Sequence, residues 1–319
     1  MKRLNPIHTI LFLLLPVFCF CQKTDWEKDH LIGRVKQVNL QFKSINTKGN
    51  YVGFSSYNQN GSLTTHVLGL TRDTFIYDVK GNLITLLRYV VNATSLHYHR
   101  DTVTDRLVPP VELRRKYTYK YDDNGNRTEE TCCQKNINSI SKDSVVNKTK
   151  YLYDGAENLI EKNLNDSNLR WLYKYNTKGN LIEQCRLSAN KIKSKFTYVY
   201  DTSGYQIERY VYKKGNKLKS KTTYAYDDKG NKAEENFSKQ TDDESNNKAS
   251  KKTYKYDSYG NIIEIALYKA DKSLKKKTIF NYEYDKYGNW TKKSVIANGE
   301  FTILTNKVSS ITTREFIYY

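Results

Sequence analysis

The chain is poor in several things that most globular folds use freely. Its 319 residues include one Met, four Pro, three Trp and five Cys, and two of those cysteines fall within the first 21 positions. That excludes a disulfide framework. Cys132, Cys133 and Cys185 allow one bridge, from Cys185 to either member of the adjacent pair, with a thiol left over. Long apolar runs are scarce too: after Ile10 to Phe20, no stretch approaches the length of a membrane-crossing helix. Acidic residues number 34 against 53 Lys and Arg, a formal charge of +19. Such an excess favours encounter with anionic surfaces, polysaccharides or nucleic acid, and says nothing about fold. Signature motifs are missing as well. There is no Gly-Lys-Ser/Thr phosphate loop, no Gly-x-Ser-x-Gly elbow and no His-Glu-x-x-His, which removes the commonest marks of nucleotide, ester and metalloprotease chemistry.

Residues 1–21 combine Lys2 and Arg3, the short apolar run and "CFCQ". This pattern predicts an export signal cleaved before Gln22, leaving a formal charge of +17 once Lys2 and Arg3 are gone. The rival reading is a lipid anchor on Cys19 or Cys21, against which the bulky Phe before each cysteine counts. Either way the protein is expected in the periplasm, at the outer membrane or outside the cell.

Tyrosine is what the chain has in plenty, 28 residues. A ring that is apolar on its faces and polar at its tip suits a sheet covered on one side. The tyrosines are ordered. "YKYDDNGNRTEE" at 118–129 returns as "YKYNTKGNLIEQ", "YVYDTSGYQIER", "YAYDDKGNKAEE", "YKYDSYGNIIEI" and "YEYDKYGNWTKK". With n as the Tyr of each Tyr-(Asp/Asn), copies fall at Tyr57, Tyr77, Tyr121, Tyr153, Tyr175, Tyr200, Tyr226, Tyr256 and Tyr284. A period of this size marks a repeat architecture.

Each residue of the motif has a physical task. Asp or Asn at n+1 caps a turn with its side chain, and Gly at n+4 supplies positive φ: Gly61, Gly81, Gly125, Gly179, Gly204, Gly230, Gly260 and Gly288. This is the chemistry of a three-residue hairpin loop. The register predicted is n opposite n+6, which sets Tyr175 beside Leu181 and Tyr256 beside Ile262. An aromatic at n−2 shares the face of n. Looser turns such as "SANK", "KKGN" and "KADKS" alternate with the tight ones, so the chain reads as an antiparallel meander.

Nine repeats give about eighteen strands, more than a flat sheet carries, so the expected outcome is one long twisted or spiralling sheet. Residues 22–56 read as a capping strand region, 57–297 as the repeat domain and 298–319 as closing strands. The interruptions at 92–117, 132–149 and 238–252 fall where loose turns belong and read as extended hairpin loops.

These residues resemble the YD-repeat family, also called RHS repeats, whose signature is Tyr-x-Tyr-Asp-x-x-Gly-Asn-Leu; the match runs from about Tyr57 to Trp290. In that family, long arrays wind into a hollow β-shell in large toxins and cell-adhesion proteins. The chain lacks the Asp-Pro-x-Gly motif that precedes toxin cargo. The resemblance therefore implies the short exported repeat-only type, with a partial rather than closed shell and a role in sugar or envelope binding.

Several columns carry candidate chemistry. "DDNG" at 122–125 with Asn126 offers oxygens to calcium, but the slot of Asn124 holds Lys80, Lys178, Lys229, Tyr259 or Tyr287 in other copies, so turn capping is the reading and no metal is expected. Glu recurs at n+8 as Glu129, Glu161, Glu183, Glu208, Glu234 and Glu264. Counted by simple alternation it joins the aromatic face opposite n−2, as a structural column rather than a carboxylate pair for glycoside hydrolysis. A basic residue recurs at n−5: Arg72, Lys116, Lys148, Arg170, Lys195, Lys221 and Lys251. It lies on the face away from the tyrosines and forms either a solvated outer face or a polyanion track, reinforced by Arg114, Lys193, Lys219 and Lys252. With rings and cations on opposite faces, and an exported chain, nucleic acid is an unfavoured partner. His97 and His99 lack companions at ligand spacing. Asn60, Asn126 and Asn289 begin Asn-x-Ser/Thr triplets, but in turns where Asn is expected anyway.

The expectation is an exported, all-β, non-enzymatic repeat protein, without cofactor, that binds or scaffolds at the envelope, its partner an anionic polysaccharide or other surface polymer on the basic column. The alternatives are a glycan-degrading enzyme using the glutamates, and a protein scaffold or toxin-associated repeat protein joined through an exposed edge strand.

Overall fold

The structure, a computed structural model, describes residues 31–44, 50–91, 99–100, 107–108, 111–134, 144–164, 169–240, 248–299 and 308–319. The export-signal reading for residues 1–21 and His97 lie outside these. The chain opens with β1 (Val35–Ser44), β2 (Asn50–Tyr57), β3 (Leu63–Leu68), β4 (Thr71–Tyr77), β5 (Leu83–Val91) and the short ribbon β6 (His99–Arg100) and β7 (Leu107–Val108). It continues through β8 (Val111–Tyr121), β9 (Arg127–Gln134), β10 (Ser144–Tyr153), β11 (Leu159–Leu164), β12 (Leu169–Tyr175), β13 (Leu181–Ser188) and β14 (Lys191–Tyr200). The last third holds β15 (Gln206–Tyr212), β16 (Leu218–Tyr226), β17 (Lys232–Lys239), β18 (Lys248–Tyr256), β19 (Ile262–Lys269), β20 (Leu274–Tyr284), β21 (Trp290–Gly299) and β22 (Val308–Tyr318). Among the described residues there is no α-helix.

Every strand of the main sheet pairs antiparallel with its neighbours in sequence, so the meander is as expected. All nine tight turns share one hydrogen-bond pattern. The n+1 amide donates to the n+5 carbonyl, as from Asp227 to Asn231 at 2.8 Å, and the n+4 amide returns to the n+1 carbonyl, as from Gly230 to Asp227 at 2.9 Å. The n+1 side chain closes the turn. Asp227 accepts from the Lys229 and Asn231 amides at 3.0 and 2.8 Å and from Asn231 Nδ2 at 3.1 Å. Asp at n+1 and Asn at n+5 are therefore partners, which explains why both belong to the motif. The eight motif glycines all have positive φ, between 77° and 90°. The ninth turn puts Glu157 there at φ 62°, a conformation that costs a side-chain-bearing residue roughly 1–2 kcal/mol.

The predicted pairing of n with n+6 holds: Tyr175 faces Leu181 and Tyr256 faces Ile262. One residue further on, a bulge intervenes. Lys174 pairs with Glu183, so n−1 faces n+8 and the residue at n+7 is skipped. The same irregularity recurs in every tight hairpin, for example beside Tyr57, Tyr121, Tyr226 and Tyr284. A bulge of this kind re-aims all residues beyond it.

The expectation of an open, partial shell is corrected. Strand β1 pairs with β2 from Gln37 opposite Ser56 to Lys43 opposite Asn50. Its other side pairs with β22 from Val35 opposite Tyr318 to Ser44 opposite Ser310. Twenty strands thus form a closed ring in chain order, interrupted only by the excursion carrying β6 and β7. The reason is that β1 and β22, which carry no motif, are ring strands rather than caps: they bring the count to where the curl meets itself. Closure removes both sheet edges. A scaffold joined through an edge strand of this sheet consequently has no edge to use.

A circular ring of twenty strands spaced ~4.8 Å and tilted ~40° is about 40 Å across. Side chains reaching ~6 Å inward cannot fill it. Among the described residues the buried hydrophobic ones are accordingly few: Leu31, Val35, Val38, Tyr57, Cys132, Cys185, Leu187 and Ala266. Four of them, Leu31, Val35, Val38 and Tyr57, pack with Leu63, Phe316 and Tyr318 where the ring closes. Asn289, 2% exposed, latches this corner. Its Oδ1 accepts from the Ile32 amide at 2.7 Å, and its Nδ2 donates to the Ile32 carbonyl at 2.7 Å and to the Tyr318 hydroxyl at 2.9 Å.

The one bridge that the cysteine count allowed is not formed, since Cys132, Cys133 and Cys185 are all free thiols. Cys132 and Cys133 lie on β9 and Cys185 on β13. Four strand spacings of ~4.8 Å put them near 19 Å apart, beyond the ~7 Å limit for a bridge.

Candidate functional site

The tyrosine face is the concave one. Side chains from eight strands, β14 to β21, converge there on a chamber of about 620 Å³, whose walls include Tyr200, Tyr226, Tyr256, Tyr282, Phe280 and Lys293. The motif tyrosines are fixed by their hydroxyls. In seven hairpins the phenol at n donates to the n+6 carbonyl of the preceding repeat: Tyr77 to Leu63, Tyr121 to Leu83, Tyr153 to Arg127, Tyr175 to Leu159, Tyr200 to Leu181, Tyr226 to Gln206 and Tyr256 to Lys232, at 2.8 to 3.0 Å. At β20 the register slips by two residues. Tyr282 makes the bond to Ile262, and Tyr284 reaches the next turn, donating to Asp257 and accepting from Asn261. Turn residues stack on the following repeat, with ring centroids of Tyr205 and Tyr226 at 4.8 Å and of Tyr259 and Tyr284 at 4.3 Å. Burial pushes these phenols up, to about 12 for Tyr119, Tyr175, Tyr200, Tyr226 and Tyr282.

Cations stand among the rings, which corrects the expectation that ammonium and phenol groups are sorted onto separate faces. Arg127 lies over Tyr119 and Tyr151, Lys232 over Tyr224 and Tyr254, and Lys293 over Phe280 and Tyr282. Their positions are n+6 and n+9. The bulge brings n+9 opposite the n−2 tyrosine, as with Tyr198 and Arg209 or Tyr282 and Lys293. A signal was present in the sequence, since n+9 is charged in five of nine copies, but simple alternation assigned it to the other side. Lys232 pairs with Glu235 at 3.0 Å. Lys293 has no carboxylate partner among the described residues, and burial lowers its pKa.

The glutamate column is the second correction caused by the bulge. It stands on the outer face, among the lysines. Glu129 bridges Lys120 and Lys148 at 3.1 and 3.0 Å, Glu183 bridges Lys174 and Lys195 at 3.0 and 2.6 Å, and Glu264 bridges Lys255 and Lys277 at 3.2 and 2.8 Å. Glu208 meets Lys221, Glu234 meets Lys251 and Glu161 meets Arg170. Lys277 fills the place of the basic residue missing at n−5 of Tyr284 because of the two-residue slip. Hydrogen bonds from Lys148, Lys221, Lys251 and Lys277 hold the carboxyls of Glu129, Glu208, Glu234 and Glu264 below the usual range. A carboxylate so held is a poor proton donor near neutrality, whereas glycoside cleavage needs one carboxyl raised.

Of the seven basic residues singled out in the sequence, Lys148, Arg170, Lys195, Lys221 and Lys251 are thus ion-paired. Arg72 and Lys116 have no ion pair among the described residues; Lys116 is exposed. The outer face is a ladder of alternating charge. Such a ladder differs from the apolar outer band of a membrane barrel, and no helix among the described residues is long and apolar enough to cross a membrane. No group of three or more His, Cys, Asp or Glu able to hold a metal occurs among the described residues. Asp122 spends its oxygens on the Asn126 amide and Nδ2 at 2.7 and 3.2 Å. Asn126 and Asn289 are buried, which takes both out of reach of glycosylation in the folded chain.

No protein-family model and no curated protein matches the chain. Among solved structures it is similar to the toxin components TcdB2-TccC3, with a TM-score of 0.42 and 12% identity over 83% of this chain and 17% of that one. A second likeness is to the Photorhabdus luminescens Tc holotoxin pore, at 0.42 and 13% over 85% and 16%. A porin-like protein from Bacteroides uniformis gives 0.36 and 11% over 89% and 98%. The chain spans less than a fifth of the toxin chains it matches.

Proposed function

We propose that this is an exported, non-enzymatic β-repeat protein that binds an anionic glycan or similar surface polymer at the cell envelope, with the tyrosine-lined chamber as the contact. The carrying observation is Lys293, an ammonium over the rings of Phe280 and Tyr282 with no carboxylate partner among the described residues. An acid group on a sugar would supply the missing charge partner. The phenols support a polyhydroxyl ligand. Tyr200, Tyr226, Tyr256 and Tyr282 donate their protons to backbone carbonyls, so what each offers the chamber is a ring face and an oxygen that accepts. Sugar hydroxyls are donors, and pyranose faces pack on aromatic rings.

The outer stripe is the weaker contact. A polyanion approaching Lys195, Lys221 or Lys251 competes with Glu183, Glu208 and Glu234, and exposed pairs are screened by salt. The neutralised glutamate column supports the non-enzymatic reading.

Calorimetry with trigalacturonic acid and neutral maltotriose tests this. The acidic trisaccharide should bind, with affinity falling at least ~10-fold in Lys293→Gln and retained in Lys293→Arg, as removal or retention of one charged hydrogen bond requires. Replacing Lys195, Lys221 and Lys251 together by Ser should mainly reduce the salt dependence. Equal binding of both sugars, or an unaffected Lys293→Gln, contradicts the proposal.

A further inference from the structure

The ends of the shell differ in charge. The nine tight turns, n+1 to n+5, hold ten carboxylates and four lysines. At the opposite end three described hairpins, β13–β14, β15–β16 and β19–β20, are built alike and differently. Each carries an apolar residue, first in β16 and β20 and second in β14, paired across the hairpin at the start of its second strand, and a bulge then skips the lysine that follows. Ile192 pairs with Leu187 and Lys193 is skipped; Leu218 pairs with Tyr212 and Lys219 is skipped; Leu274 pairs with Tyr268 and Lys275 is skipped.

Of the three apolar side chains Leu218 is half-buried and the other two are exposed. Ile192 is 45% and Leu274 48% accessible, and Lys191, Lys193, Lys213, Lys219, Lys275 and Lys276 are exposed around them. The one described carboxylate among these turns, Asp271, accepts from the Ser273 amide and hydroxyl of its own turn. Residues 241–247, between β17 and β18, lie outside the described residues and are not counted in this rim.

We infer that this rim docks onto an anionic lipid surface, with Ile192 and Leu274 entering the headgroup layer and the flanking lysines neutralising the lipid charge. Three observations favour lipid over a polysaccharide. Apolar tips ringed by lysine have something to gain only where an apolar layer lies beneath the charge. Lysine stems can lie along that layer while their ammonium groups stay at its surface. The acidic turns at the far end orient the molecule, since like charge turns them away from the bilayer. The inference does not rest on the glycan proposal, which concerns the concave face.

Flotation of the full chain with phosphatidylcholine vesicles, with and without phosphatidylglycerol, tests it. The protein should float with the anionic vesicles alone. Reversing Lys193, Lys219 and Lys275 to Glu should weaken binding at least ~100-fold, given roughly one kcal/mol per basic residue near such a surface. Ile192→Ser with Leu274→Ser should weaken it ~10-fold, and circular dichroism should show both variants folded. Lys293→Gln should float like the parent, which separates this result from the chamber. Failure of the parent chain to float overturns the inference. So does undiminished flotation of the Ile192→Ser, Leu274→Ser variant, which would leave a purely electrostatic patch.

Discussion

The tight-turn end and the loose-turn end of the shell are made by different rules. At the tight end nine turns repeat one hydrogen-bond pattern and one αL position, and seven of them share one cross-repeat tyrosine bond. At the loose end the connections run from two residues between β3 and β4 to nineteen between β5 and β8. The contrast shows where register is set. A side chain that caps its own turn, followed by a glycine and a fixed bulge, leaves one way to pair the flanking strands. The loose end inherits its register, so its composition is free to vary, which is where loops acquire function.

The largest expected effect is alkaline. Unfolded phenols titrate near 10.0, and those of Tyr119, Tyr175, Tyr200, Tyr226 and Tyr282 are pushed up to about 12 by burial. The folded state keeps protons that the unfolded chain gives up. Stability is therefore intact below pH 10 and falls as pH rises from 10 towards 12. Tyrosinate absorbance should appear in one cooperative step with loss of the sheet signal; gradual titration without unfolding would mean the tyrosines are not held as described. The acid limb runs the other way and is shallower. Glu129, Glu208, Glu234 and Glu264 are lowered from 4.5, so their contribution is present above that value and lost as pH falls through their folded values. Each of these partly exposed pairs contributes about 1 kcal/mol or less.

Next comes the latch. Asn289→Ala strands the Ile32 amide and carbonyl and one bond of Tyr318, and should cost at least ~3 kcal/mol in denaturant melts. Asn190→Ala, at a loose turn where one exposed bond from Arg170 is lost, should cost about 1 kcal/mol or less. Similar costs at the two sites would erase the distinction between the ends.

Between these two costs falls Gly230→Ala. Its φ is +79°, and an added Cβ would run into the Tyr205 hydroxyl, for a total of ~2 kcal/mol. Tyr205→Phe in the same chain should recover part of it. Smallest is Glu157→Gly, which relieves the φ of 62° and should raise stability by ~0.5–1 kcal/mol.

Much of this was legible in the sequence. Tyr-Asp-x-x-Gly-Asn specified the turn, the αL glycine and the pairing of n with n+6, because those depend on six adjacent residues. What lay beyond n+6 was misplaced for one reason. The bulge at n+7 is set by how the strand twists out of the turn, and alternation counted without it sends Glu183 inward and Arg209 outward. Closure was illegible because β1 and β22 carry no motif, and whether a curl meets itself depends on the sum of twenty small rotations. The latch at Asn289 looked like an ordinary motif Asn; its partner at Ile32 is 257 positions away.

The most direct test is a cross-link at the seam. With Cys132, Cys133 and Cys185 replaced by Ser, Cys introduced at Gln41 and Thr313, direct partners on β1 and β22, should oxidise to an intramolecular disulfide in the native protein and not in denaturant. Cys at Gln41 and Lys292 should not, since Lys292 pairs with Thr313 and sits two strands from Gln41. Closure predicts near-complete bridging of the first pair as a monomer. Absent bridging, or bridging between chains, would mean that the sheet is open.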